Sequence, residues 1–158
     1  MAADSILRSA AIPMPLTGVL ETCVYATDLA AAERFYTDAL GLSVVGRAAN
    51  RHVFFRCGEG VFLVFNPDVT AVEATAVGGV GVLHGARGPG HVAFRVRDDE
   101  IPTWRERLRA RGVAIEAEVA WPEGARSIYF RDPAGNSVEL ASPRIWGIAE
   151  GAMDGAGS

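Results

Sequence analysis

The sequence predicts an α+β fold: two tandem βαβββ modules whose strands form a cupped mixed β-sheet, with the helices on its outside. Three observations carry this prediction. Each half switches from strand-like alternation to helical spacing and back. An aspartate opens each predicted helix and a glycine follows it. The two halves also match each other in register.

Residues 18–27 (GVLETCVYAT) alternate and are rich in β-formers, which predicts a strand. Asp28 follows at an N-cap position. Leu29, Ala32, Phe35, Tyr36, Ala39 and Leu40 then recur at helical spacing over 29–40. Gly41 suits the residue just past a helix end, where the chain reverses. Three short strands are predicted at 42–47, 51–57 and 60–66, with a glycine on each side of Glu59 in the last turn. The second half repeats the plan. Residues 90–96 (GHVAFRV) read as a strand, Asp98 and Asp99 offer a cap, and Ile101, Trp104 and Leu108 mark one helix face. Pro102 is tolerable in a first helical turn. Gly112 ends that helix, and strands follow at 113–120, 126–131 and 136–141. Asp132-Pro133-Ala134-Gly135 forms a tight turn between the last two.

The repeat can be checked residue by residue. Asp28 matches Asp98 at an offset of 70, which sets Glu21 against His91. Phe55-Arg56 matches Phe130-Arg131 at 75, and Asn66-Pro67 matches Ser142-Pro143 at 76. That last register sets Leu63 against Glu139. The organisation read from this is one domain over 1–158, with modules at 18–66 and 89–143. A linker rich in Ala, Val and Gly lies at 67–88, and a small-residue tail at 144–158. A structureless loop of that length is usually functional or flexible.

The length of 158 residues suffices for one domain with a real core. Apolar residues at 49% and charged residues at 22% fit a soluble globular protein. The net charge is −4 and the basic residues do not cluster, which argues against nucleic acid or an anionic membrane as a partner. Cys23 and Cys57 sit in strand-like runs rather than in a spaced framework, as expected in a reducing compartment. The first residues lack the uninterrupted apolar core of a signal peptide, and no run is long enough to span a membrane. The expectation is a cytoplasmic protein.

Alternate side chains of a strand share a face. Val92, Phe94 and Val96 should pack under the helix, so His91, Ala93 and Arg95 face the other way. By the repeat, Glu21, Cys23 and Tyr25 take that same opposite side. In the last strand Val138 and Leu140 go under the helix, and Glu139 faces with His91. Glu21, His91 and Glu139 are therefore expected on the concave face, where unpartnered charge is costly. A divalent metal ion between them is the sharper reading. Hydrogen-bonded structural groups are the plainer one.

Three segments, LETCVYATDLAAAERFYTDALGL, GPGHVAFRV and YFRDPAGNSVELASP, resemble the vicinal oxygen chelate superfamily. That superfamily includes glyoxalase I, fosfomycin-modifying enzymes, extradiol dioxygenases and bleomycin resistance proteins. The resemblance covers about residues 18–143. It implies a cupped sheet with metal ligands on the first and fourth strands of each module. Those places fall at Glu21, Leu63, His91 and Glu139. His91 and Glu139 match the family pattern. Glu21 departs from it, because His is commoner there. Leu63 removes a fourth ligand, as in the fosfomycin-modifying and dioxygenase branches. The bleomycin-binding branch keeps the fold without a metal. The resemblance further implies a homodimer, in which Glu21 and the His91–Glu139 pair come from the same chain or from two.

One imidazole and two carboxylates suit Mn²⁺, Fe²⁺, Ni²⁺ or Zn²⁺. Three ligands leave room for a small-molecule substrate with two neighbouring oxygens. The expected function is a metal-dependent lyase, isomerase or dioxygenase, with Glu139 and then Glu21 as proton-moving residues. The alternative is a metal-free protein that binds a drug or metabolite. His52, Phe54 and Arg56 share one strand face, and His52 reads equally as a ligand, a base, a substrate contact or a solvated edge residue. Leu63 and Phe65, with Val61, make an apolar wall, and Trp121 and Tyr129 add aromatic surface. These are candidate substrate contacts, although core packing explains them as well. Arg56, Arg95 and Arg126 are candidate partners for a substrate anion, although such arginines more often form ordinary surface ion pairs. His84, in the linker, is expected in solvent.

Overall fold

The computed structural model describes residues 16–74 and 81–151. Among these residues eight strands and two of the three α-helices follow the predicted order, and the third helix is an addition in the expected linker. The first module holds β1 (Glu21–Tyr25), α1 (Leu29–Asp38), β2 (Ser43–Ala48), β3 (His52–Cys57) and β4 (Gly60–Phe65). The second holds β5 (His91–Arg95), α3 (Ile101–Ala110), β6 (Ile115–Ala120), β7 (Arg126–Arg131) and β8 (Ser137–Ala141). Between the modules, α2 (Pro67–Thr70) occupies the start of the expected linker. Asn66 caps it by accepting the amide of Asp68 at 3.0 Å. The first helix begins as expected, with Asp28 Oδ1 accepting the Ala31 amide at 2.9 Å. Gly41 has φ +77°, the left-handed conformation that ends a helix without a Cβ penalty.

The strands form two four-stranded sheets rather than one continuous sheet. Their orders are β1-β4-β3-β2 and β5-β8-β7-β6. Each is mixed: β1–β4 and β5–β8 pair in parallel, and the remaining neighbours are antiparallel. The repeat extends to an irregularity. The β2–β3 register shifts between Val44 and Gly46, and β6–β7 shifts between Ile115 and Ala117. A shift at the same place in both modules marks a retained structural feature rather than a defect.

One core serves both modules. Val24, Phe55, Phe62 and Val64 from the first sheet join Val92, Phe130, Val138 and Leu140 from the second. Tyr36 of α1 and Ile101 and Leu108 of α3 complete it, all fully buried or nearly so. Burying each such side chain contributes about 1.5–3 kcal/mol. The helix-bearing faces of both sheets therefore meet in a common interior. The other face of each sheet points away from that interior, and this decides where the polar residues of the strands stand.

Three polar contacts fasten the modules. The Tyr36 hydroxyl donates to Asp132 Oδ2 at 2.8 Å. Asn136 Nδ2 donates to the Tyr25 carbonyl at 3.0 Å. Arg107 Nε donates to the Ala39 carbonyl at 2.8 Å. At the far end, Glu150 ties the C-terminal segment down by accepting from the Asp98 amide at 2.9 Å and from Ser142 Oγ at 2.7 Å.

Candidate functional site

Strand alternation places the polar residues as the pattern predicts. In β5, Val92 is buried and His91, Ala93 and Arg95 face outward. Ala93 is the register partner of Glu139 in β8. This sets His91 and Glu139 diagonally across one strand pair, with His91 Nε2 3.4 Å from Glu139 Oε2. The two ends of this contact differ in environment. The Glu139 side chain is only 6% exposed and that of His91 is 53% exposed. Glu139 Oε1 is buried with no hydrogen-bond partner. A buried carboxylate oxygen left unpaired is costly, by about 1–3 kcal/mol or more.

Tyr129 of β7 is the register partner of Glu139 on its other side. Its ring lies 6.4 Å from the His91 ring, 21° from parallel. Burial, and then the neighbouring Glu139 carboxylate, raises the Tyr129 phenol above its ordinary pKa, so it stays a proton donor at neutral pH. The indole of Trp121 donates to Ser127 Oγ at 2.8 Å, which fixes the ring beside this strand. His91, Tyr129, Glu139 and Trp121 thus belong to one outer face, that of the second sheet.

The remaining candidates belong to the outer face of the first sheet. His52 pairs with Phe65, and Phe54 with Leu63. The His52 and Phe54 rings stack at 3.9 Å, and Phe54 meets Phe65 edge-on at 5.3 Å. Leu63 is buried beside its partner Cys23. Burial, and then the charge of Arg51, lowers the His52 pKa, which favours a neutral imidazole. Its Nδ1 is buried without a partner. Glu21 and Arg56 both take Val61 as register partner, one on each side. Both are exposed.

One expectation about a single residue changes. His84 does not stand in solvent: its Nδ1 shares a 3.0 Å hydrogen bond with the Tyr25 hydroxyl, and its ring packs edge-on against Phe65 at 4.5 Å. The linker lacks periodicity, so nothing in the sequence signalled that it folds back on β4. Arg126 is engaged with Asp98, through both its carboxylate at 3.1 Å and its carbonyl at 2.7 Å.

The expected trio does not assemble within one chain. Glu21 stands on the outer face of the first sheet, whereas His91 and Glu139 stand on that of the second. Among the described residues, no three His, Cys, Asp or Glu side chains come together as a metal site.

Residues 18–140 match the model of the Glyoxalase/Bleomycin resistance protein/Dioxygenase superfamily. The chain belongs to this superfamily. A lactoylglutathione lyase from Agrobacterium tumefaciens has a similar crystal structure, at 41% identity and a TM-score of 0.79. The similarity covers 85% of this chain and 99% of that one. Two curated superfamily relatives match over shorter stretches. The metallothiol transferase FosB of Bacillus licheniformis is 35% identical over 57 residues, which is 35% of this chain and 37% of that protein. The fosfomycin resistance protein FosX of Listeria monocytogenes is 41% identical over 51 residues, or 32% and 38% respectively. The match thus spans less than two-fifths of either curated relative. Among the described residues of this superfamily member, no helix is long and apolar enough to cross a membrane.

Proposed function

We propose that this chain is a metal-dependent enzyme acting on a small oxygenated substrate by redox-neutral, glyoxalase-like lyase or isomerase chemistry. One observation carries the reading: the buried Glu139 carboxylate, with one oxygen unpaired, beside the half-exposed His91 imidazole. A buried carboxylate with one oxygen left unpaired, beside an imidazole that can serve as a second ligand, fits a bound cation better than a structural role. The name of the similar Agrobacterium structure supports the lyase branch.

In this reading His91 and Glu139 hold a divalent ion (Mn²⁺, Fe²⁺, Ni²⁺ or Zn²⁺), and Glu21 of a second copy supplies the third ligand. When bound, such an ion acts as a Lewis acid toward two neighbouring substrate oxygens and stabilises the charge that develops on them. The chain's own residues do the rest. A Glu139 carboxylate loosened from the ion would take the proton from one substrate carbon and return it to the neighbouring one, and Glu21 is the second candidate for that role. The Tyr129 phenol, held protonated, donates a hydrogen bond on the same face. One imidazole and two carboxylates differ from the two-histidine, one-carboxylate set of oxygen-activating iron, so dioxygenase chemistry ranks second.

Metal analysis tests the reading. Protein loaded with Mn²⁺ and desalted should retain near-stoichiometric metal, and His91→Ala and Glu139→Ala should lose it. Equal retention by both variants would sink the enzyme reading. Turnover of a hemithioacetal without oxygen uptake on any catechol would separate lyase from dioxygenase.

A second reading is a metal-free protein that sequesters a drug or metabolite. It draws support from the outer face of the first sheet, where Tyr25, His52, Phe54 and Phe65 form an aromatic surface. Small-molecule binding unaffected by either variant would favour it.

A further inference from the structure

Among the three arginines suggested for a substrate anion, Arg126 is engaged by Asp98. Arg56 stands on the first sheet, away from the His91–Glu139 pair. Arg95 differs from both. It shares the outer face of β5 with His91 and Ala93, and its register partner Ala141 lies two residues beyond Glu139. Strand geometry puts its Cα roughly 7 Å along the sheet from that of Ala93. Among the described residues it forms no ion pair.

Arg95 also lines a pocket of about 150 Å³ with Ala93, Ala141, Ile145, Trp146 and Ile148. The C-terminal segment makes the apolar wall of this pocket, and Glu150 holds that segment in place through Ser142 and the Asp98 amide. Trp146 is 79% exposed and Ile148 48% exposed, so large apolar surface is left open beside an unpaired cation. A space near 150 Å³ takes a benzene-sized group. The carboxylates nearby are accounted for. Glu139 contacts His91, Asp98 is held by Arg126, and Glu150 faces Ser142. Glu21 lines the adjoining groove between β1 and β5 with Arg95 but makes no ion pair with it.

The geometry points to a specificity pocket in which Arg95 binds an oxyanion and Trp146 covers an apolar, ring-sized group of the same small molecule. This assignment rests on the reading of His91 and Glu139 as the reactive centre, and it narrows the substrate class to an anion with an apolar group. A guanidinium offers paired N–H donors to a carboxylate, and an indole offers a broad apolar face at low entropic cost.

Calorimetric titration with phenylacetate, using the full chain both metal-free and Mn²⁺-loaded, tests it. The unsubstituted protein should bind phenylacetate and not the neutral 2-phenylethanol. Arg95→Gln should weaken phenylacetate binding at least about tenfold, the loss of one charge-assisted contact. Trp146→Ala should weaken phenylacetate binding too, and both variants should keep Mn²⁺ uptake unchanged. Equal phenylacetate binding by Arg95→Gln, or none by the unsubstituted protein, overturns the pocket even where Mn²⁺ uptake is intact. Arg95-dependent binding in a protein that takes up no Mn²⁺ upholds the anion pocket and sinks the metal-centre reading instead.

Discussion

The Tyr36 hydroxyl reaches 96 residues along the chain to donate a 2.8 Å hydrogen bond to the buried Asp132 carboxylate. Asp132 accepts three more: its Oδ1 takes the amides of Ala134 and Asn136, and its Oδ2 takes Asn136 Nδ2. Asn136 then accepts the Gly90 amide and donates to the Tyr25 carbonyl. One turn of the second module is thereby fastened to the helix and first strand of the first. Burial, and then the Asp132 charge, drives the Tyr36 phenol pKa far above its ordinary value, so it remains a donor throughout the accessible pH range.

Tyr36→Phe tests that bracket. It removes one buried hydrogen bond to a charged group and leaves the ring packing against Phe55 and Phe62 in place. The expected cost is about 1.5–3 kcal/mol. Urea denaturation should show a lower midpoint with an unchanged slope. A loss below about 0.5 kcal/mol, within the range of an ordinary surface substitution, would remove the bracket from the account of stability.

Much of this was legible in the sequence, for a physical reason. Period-two alternation reads directly from Val92, Phe94, Val138 and Leu140, so it placed His91 and Glu139 together without any structure. The Asp-Pro-Ala-Gly-Asn run announced a turn. It did not announce that Asp132 would accept a bond from Tyr36, because that contact is set by how the modules dock. For the same reason the sequence could not separate Glu21 from His91. Alternation tells which face of a sheet a residue takes, and only the packing of the two sheets tells how near residues of different sheets stand. His84 was beyond reach because a contact with Phe65 leaves no periodic trace in a linker.

His52 should give a pH signature. Its folded pKa is lowered, by burial and then by Arg51, relative to about 6.5 in an unfolded chain. The unfolded state therefore binds the proton more readily. The stability from keeping His52 neutral is fully present above about pH 6.5 and is lost as pH falls through the folded value. The His52 ring resonances should titrate with a midpoint below 6.5, an order-of-magnitude reference of about that value. His52→Gln should flatten this part of the stability profile. A midpoint at or above the ordinary value would contradict the burial assigned to the ring.

Glu139→Gln should separate stability from function. The metal-free protein carries a buried carboxylate oxygen without a partner. An amide of the same shape removes the charge. The metal-free variant should unfold at a higher midpoint, by about 0.5–2 kcal/mol, as is common when a functional site is relieved. Added Mn²⁺ should stabilise the unsubstituted protein by mass action and the variant little or not at all. A variant less stable than the metal-free parent would mean that Glu139 is a satisfied structural group.

The third ligand can be assigned by mixing chains. Glu21 stands on the outer face of one sheet and the His91–Glu139 pair on that of the other, and among the described residues the three do not come together. If a second copy supplies Glu21, two defective chains complement each other. In a mixed dimer of Glu21→Ala with His91→Ala, one site combines both defects and the other combines two intact halves. Tandem-tag purification of the mixed dimer should recover about half of the parental Mn²⁺ content, while each variant alone recovers almost none, as expected when ligands are shared across a symmetric interface. If Glu21 served its own chain, every site in the mixture would carry one defect. Metal content no higher than that of the single variants would return Glu21 to the chain it belongs to, or remove it from the centre altogether.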